Sequence, residues 1–223
     1  MPSATRVVIP LFPLPRTVLL PKSLLNLYIY EPRYKEMIGR CLSMEKPFGV
    51  LLLRPDRKGL PDEDAACRIG GSGLISGHKV VGKNGEMLII VRGVHRFRLL
   101  EFIPGESYPQ GRVEYLEPTW GKEGDMEPHL TALRDGLAST LRYSPPMLSK
   151  MADTLGEIPD AGALADAIIG TLPLDPARKQ AFLEVLDPAV RAQSVAQILH
   201  EEGFRLSILD SLRSGDAGRH QRN

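Results

Sequence analysis

Residues 9–38 read IPLFPLPRTVLLPKSLLNLYIYEPRYKEMI, and this stretch decides the fold. With Val7 and Val8 before it, its first part breaks into VVIPLFPLP, TVLLP and LLNLYIY, apolar runs punctuated by proline. Each run is too short for a helix and too apolar for a loop, so each reads as a strand. After Tyr30 the period changes. Glu31–Glu45 places Tyr34, Met37, Ile38, Cys41 and Leu42 three and four residues apart, which builds one apolar helical face. Strand texture then returns in FGVLLLR, GLISGHKVV, EMLIIVRG and FRLLEF. Lys83-Asn84-Gly85-Glu86 predicts a hairpin, with Asn-Gly as the two positive-φ residues of a type I′ turn.

Beyond Gly121-Lys122-Glu123-Gly124-Asp125 the texture is helical. Leu130, Leu133, Leu137 and Leu141 share one helical spacing, and Leu164, Ile168, Ile169 and Leu172 share another. Asp175-Pro176 and Asp187-Pro188 are written as helix starts. Aspartate caps free N–H groups, and proline occupies the first position, where no N–H is needed. Val195, Ile198, Leu199, Leu206 and Leu209 mark the last helix. The expected organisation is a β-rich part over 1–120, a linker at 121–126, a helical bundle over 127–212 and a disordered tail at 213–223.

Composition narrows the function. Residues 1–118 hold 17 Lys/Arg against 12 Asp/Glu, and the remainder holds 11 against 15. Neither balance is basic enough to demand nucleic acid. Cys41 and Cys67 are the only cysteines, too few for a disulfide framework or a cysteine zinc site. No apolar run approaches the roughly 20 residues of a membrane span, and MPSATRVVIP lacks a signal-peptide core. A cytoplasmic protein without membrane contact is expected.

Catalytic patterns fail on inspection. Gly70-Gly71-Ser72-Gly73 has Leu74 where a nucleophile elbow needs glycine, and Ser76 where a dinucleotide fingerprint needs its third glycine. A closely approached strand accounts for these glycines. No phosphate-binding loop occurs, and the histidines lack metal-site spacing. Lys22-Ser23 and Ser149-Lys150 are adjacent pairs whose side chains diverge, which makes them poor dyads. No catalytic residue, metal or cofactor is expected. Arg92, Arg96 and Arg98 share strand parity; a solvated face is the simpler reading, and a phosphate-contacting stripe for RNA is the alternative.

Four landmarks then fall in a recognisable order. They are Pro10-Leu11-Phe12-Pro13-Leu14 leading into Glu31-Pro32-Arg33-Tyr34, Pro47-Phe48-Gly49-Val50 with Gly70–Ile75, the run Val91–Arg98, and Leu172-Pro173-Leu174 with Lys179–Glu184. In this order, over about residues 7–210, the chain resembles the N-terminal, substrate-binding domain of Lon proteases. It departs at Lys22 and Asn26, where many members carry glycine and proline. The ATPase and Ser-Lys protease modules have no counterpart in it.

The resemblance implies an α+β fold, a PUA-like β-barrel with one early helix followed by an all-α bundle. It implies a free-standing, non-catalytic module that binds proteins or peptides, an adaptor in protein quality control. The expected partners are unfolded proteins or peptides with exposed apolar segments, and a full-length protease. An RNA-binding barrel using Arg92, Arg96 and Arg98 is the alternative. Tyr28, Tyr30 and Tyr34 around Glu31, Arg33 and Lys35 form the candidate protein-binding site, since tyrosine and arginine are frequent interface anchors. Tyr30, Arg33 and Lys35 are the ones expected at the surface.

Overall fold

The computed structural model describes residues 5–119, 125–142 and 154–220. Six strands form one sheet: β1 (Arg6–Pro15), β2 (Leu24–Ile29), β3 (Phe48–Leu53), β4 (Ile69–Val80), β5 (Met87–Ile103) and β6 (Gln110–Leu116). The sheet order is β2-β5-β4-β3-β1-β6, and β5 also pairs with β6. That extra pairing closes β1, β3, β4, β5 and β6 into a ring, which removes their free edges.

Two strands make closure possible by pairing in halves. β1 pairs with β6 over Arg6–Pro10 and with β3 over Leu11–Pro15. β5 pairs with β2 over Met87–Arg92 and with β6 over Arg96–Ile103. β1 and β3 run parallel, so the chain between them must cross over. It does so through β2 and α1 (Pro32–Met44).

The interior fills in two clusters. Phe12, Phe48, Ile89 and Val91 join Tyr34, Met37, Ile38 and Cys41 from α1, which buries the predicted helical face. Ile9, Leu11, Leu51, Phe97, Leu99 and Val113 form the second. The Gly70–Gly73 run is a close approach, as its composition predicts. A Cβ on Gly71 would lie 1.8 Å from the Leu19 carbonyl oxygen.

The hairpin turn differs from its predicted type. Gly85 takes a φ of 76°, and Asn84 is not among the positive-φ residues. The turn begins one residue earlier, closed by Gly85 N–H donating to Gly82 O at 3.3 Å. Gly85 alone therefore carries the left-handed conformation. Asn84 is held instead by the Glu86 carboxylate, which accepts from its backbone N–H at 3.1 Å and its side-chain amide at 3.2 Å.

Further helices among the described residues are the short α2 (Asp62–Ala65), α3 (Glu127–Leu141), α4 (Ala161–Thr171), α5 (Pro176–Glu184) and α6 (Pro188–His220). Both Asp-Pro starts cap as written: Asp175 accepts from Ala177 N–H and Asp187 from Ala189 N–H, each at 2.8 Å. α6 continues through His220, where composition predicts a disordered tail from 213. Once a helix exists, each added residue gains a backbone bond without a new nucleus. Most of the predicted linker, 121–124, and the Ser149-Lys150 pair lie outside the described residues.

Contacts group the chain into two units, Met1–Thr119 with Ile169–Leu186, and Trp120–Ile168 with Asp187–Asn223. In the first, α5 lies on the barrel. Gln180 donates to Ile69 O at 3.0 Å, and Arg96 donates to Leu183 O at 2.9 Å. In the second, α3 meets α6 where Gly136 faces Leu199, and Thr140 Oγ bonds Leu199 O at 3.1 Å.

Candidate protein-binding surface

β2 alternates as a half-buried strand should. Leu25, Leu27 and Ile29 pack on the core, while Leu24, Asn26 and Tyr28 face outward. A wet face is ordinarily polar. Here Leu24 is 64% exposed, Tyr28 53% and Tyr30, just past the strand, 61%. The adjoining half of β5 continues the pattern, with Leu88 49% and Ile90 43% exposed. Register places Tyr28 opposite Leu88, Asn26 opposite Ile90 and Leu24 opposite Arg92. Five large apolar side chains therefore share one neighbourhood on the outside of the sheet. Grouped exposure of this kind marks interaction sites, whereas single exposed apolar residues do not.

The surface is held firmly. Tyr28 and Tyr30 stack, with ring centroids 6.1 Å apart and planes at 26°. Pro32 sets the start of α1, and Glu31 at the N-cap uses its carboxylate to accept from Arg33 Nε at 3.0 Å. Lys35 Nζ donates to Asn84 O at 2.6 Å, tying α1 to the β4–β5 turn. β2 is an end strand of the sheet, and among the described residues no other strand pairs with its outer edge.

The six predicted site residues thus separate. Tyr28 and Tyr30 lie on the exposed surface, and Glu31 and Arg33 form an ion pair beside it. Tyr34 is core: it is buried, its ring centroid lies 4.1 Å from that of Phe12, and burial pushes its hydroxyl up to about 12. Lys35 is half-buried rather than open, because its amine is spent on Asn84. Leu24, Leu88 and Ile90 escape the sequence reading. The one signal for Leu88 and Ile90 is the run Met87–Val91, apolar at every position where a strand with one wet face should alternate.

The three arginines do not make one stripe. Arg92 and Arg98 are exposed, but Arg96 is only 7% exposed and donates to the Leu183 and Phe182 carbonyls. Those carbonyls end α5 without helical partners, so a buried cation is well placed there.

Nucleophilic groups are quiet. Ser23 Oγ donates to Leu20 O at 2.7 Å beneath the surface, beside an exposed Lys22. Lys22 has a φ of 63°, the left-handed conformation natural to glycine. Burial pushes the Cys41 thiol up to about 11, away from reactivity. Among the described residues no cluster of three or more His, Cys, Asp or Glu could hold a metal, and no helix is long and apolar enough to cross a membrane.

Comparison with known proteins gives a consistent picture. The model of the ATP-dependent protease La (LON) substrate-binding domain matches residues 8–201. The Lon protease of Paraburkholderia phytofirmans is 29% identical over 83% of this chain and 23% of its own length. That of Syntrophus aciditrophicus is 27% identical over 91% of this chain and 26% of its own length. The chain thus spans about a quarter of the curated relatives it matches. Among solved structures, a Lon N-terminal domain protein from Xanthomonas campestris aligns with a TM-score of 0.59 at 26% identity, covering 85% of this chain and 96% of that one. The N-terminal domain of a Mycobacterium avium complex Lon protease aligns at 0.66 and 17% identity, covering 86% and 98%, and attests the fold.

Proposed function

Because this chain belongs to the LON substrate-binding domain family, we propose that it recognises protein substrates by exposed apolar segments, and that they dock on the outer face of β2 and the first half of β5. The observation that carries this is the grouping of Leu24, Tyr28, Tyr30, Leu88 and Ile90. These side chains are already about half covered, so covering the rest of one is worth about 1 kcal/mol. Part of that gain offsets the ordering of the bound segment, so the affinity belongs near micromolar, about −8 kcal/mol. Weak capture suits a module that must release its cargo.

The module does no chemistry of its own. It works as an adaptor, holding chains for a full-length Lon-type protease. The free thiols of Cys41 and Cys67 suit a reducing compartment, and we assign it to the cytoplasm.

The test is fluorescence polarisation with a labelled, permanently unfolded protein. Wild type should bind near micromolar, and Tyr28→Ser with Leu88→Asp should weaken binding about tenfold or more while thermal melting holds. Unchanged binding by the folded variant would move the site elsewhere. Adding the protein to a purified full-length Lon should raise the degradation rate of the same substrate, and no acceleration would remove the adaptor role. ATP hydrolysis or substrate cleavage by the protein alone would overturn the non-catalytic reading.

A further inference from the structure

A second feature lies apart from that surface. Where β1 and β3 end and α5 begins, the β-rich unit holds a cavity of about 640 Å³. Its floor is apolar, built from Leu52, Leu53, Ala65 and Pro176, with the exposed Leu60 beside it. Its rim carries four cations, Arg16, Arg54, Arg57 and Lys58, against two acids, Asp62 and Asp175, with Arg57 also facing Asp56 at 3.9 Å. Asp175 is occupied, since its carboxylate caps α5 through Ala177 N–H at 2.8 Å. A cavity of this size lies within the range that takes small ligands and is too small for a folded partner.

We propose that this groove binds the C-terminal end of a protein chain whose last side chains are apolar. The terminal carboxylate sits among the rim cations, and the apolar side chains behind it cover the floor. Charge complementarity selects the anion, because guanidinium–carboxylate bonds are among the stronger hydrogen bonds in proteins. The apolar floor selects what precedes it. An internal acidic residue would carry polar backbone away on both sides, whereas a chain terminus presents one anion with apolar residues on one side only. A phosphodiester would meet the rim and leave the floor uncovered.

Two local features show the rim to be held in position. Arg54 donates to Asp64 O at 3.0 Å, which ties its guanidinium to the backbone of α2 beside the cavity. Arg16 has a φ of 62°, a left-handed conformation that glycine would adopt without strain. An arginine kept there places a cation at the cavity mouth at a backbone cost.

The experiment uses the full chain and a short fluorescein-labelled peptide ending Ala-Leu-Val-Leu, made with a free carboxylate and with a terminal amide. The carboxylate peptide should bind at least about tenfold more tightly than the amide. Arg16→Glu with Lys58→Glu should lower that affinity by a similar factor, and Tyr28→Ser on the other surface should leave it unchanged. Circular dichroism checks folding, and the exposed Arg57→Gln supplies a milder variant with the same expected direction. Equal binding of the two peptides, or unchanged binding by the folded rim variants, overturns the proposal. So does displacement by an RNA oligomer but not by unlabelled carboxylate peptide. Capture of unfolded protein at β2 and β5 is measured in parallel, so either site can fail while the other stands.

Discussion

The guanidinium of Arg96 donates through Nε to the carbonyl oxygen of Leu183 at 2.9 Å, joining a barrel strand to the last turn of α5 across 87 positions of sequence. This bond gives a charged group buried partners and satisfies a helix end that would otherwise be left without one. Arg96→Met keeps the apolar stem and deletes the donors, so it should cost about 2 kcal/mol, read as a lower urea midpoint. Arg92→Ala and Arg98→Ala should stay within about 0.5 kcal/mol of wild type. A silent Arg96→Met would mean that the contact contributes nothing net.

Tyr30 and Tyr34 should separate binding from stability. Tyr34→Ala empties a core position beside Phe12 and should cost about 3–5 kcal/mol, as large aromatic truncations do. Tyr30→Ala removes exposed area, so stability should change by less than about 0.5 kcal/mol while affinity for an unfolded chain falls. Titrating both variants by denaturation and polarisation distinguishes the roles, and equal stability loss would place Tyr30 in the core.

Alkaline pH should loosen the core at Cys41. Burial raises its thiol from 9.0 to about 11, so folding favours the neutral form. This contribution is complete below about pH 9 and is lost as pH rises through about 11. Tyr34, raised from 10.0 to about 12, acts in the same direction at still higher pH. Urea unfolding at about pH 8 and about pH 10.5 should show the decline, and Cys41→Val should reduce it. An unchanged pH slope in that variant would show that the thiol is not its source.

Gly71→Ala should be among the most damaging small substitutions. Its Cβ would fall 1.8 Å from the Leu19 carbonyl oxygen, a backbone atom that cannot rotate away. A loss of about 3 kcal/mol or more is expected, or failure to fold at 37 °C. A thermal melt matching wild type would show that residues 19–20 can shift without cost.

Local signals carried much of the fold. The periodicity of Glu31–Glu45 marks the buried face of α1, and both Asp-Pro pairs cap helices where they are written. The type of the β4–β5 turn was not legible, because Gly82 and Gly85 both permit the bend and only strand register decides where it starts. The proposed binding surface was half legible. Tyr28 and Tyr30 are visible as aromatics beside a helix start, but Leu88 joins them only through pairing sixty positions away in the chain.

The sequence by itself determined most of the strands and helices, since propensity, capping and periodicity are properties of neighbouring residues; TVLLP, which reads as a strand, is irregular over residues 17–20, and β6 carries no run apolar enough to be read. It also determined the family, through landmarks that keep their order along the chain. Only the tertiary structure decided what each polar side chain does. Arg92, Arg96 and Arg98 are one residue type at one strand parity, yet Arg96 is buried on the α5 carbonyls and the other two are solvated. Tyr30 and Tyr34 flank the same Glu31-Pro32-Arg33, yet one is exposed and the other is core. The physical reason is that burial and hydrogen-bond partners come from residues distant in sequence, which the closure of β5 on β6 and the return of α5 to the barrel bring together.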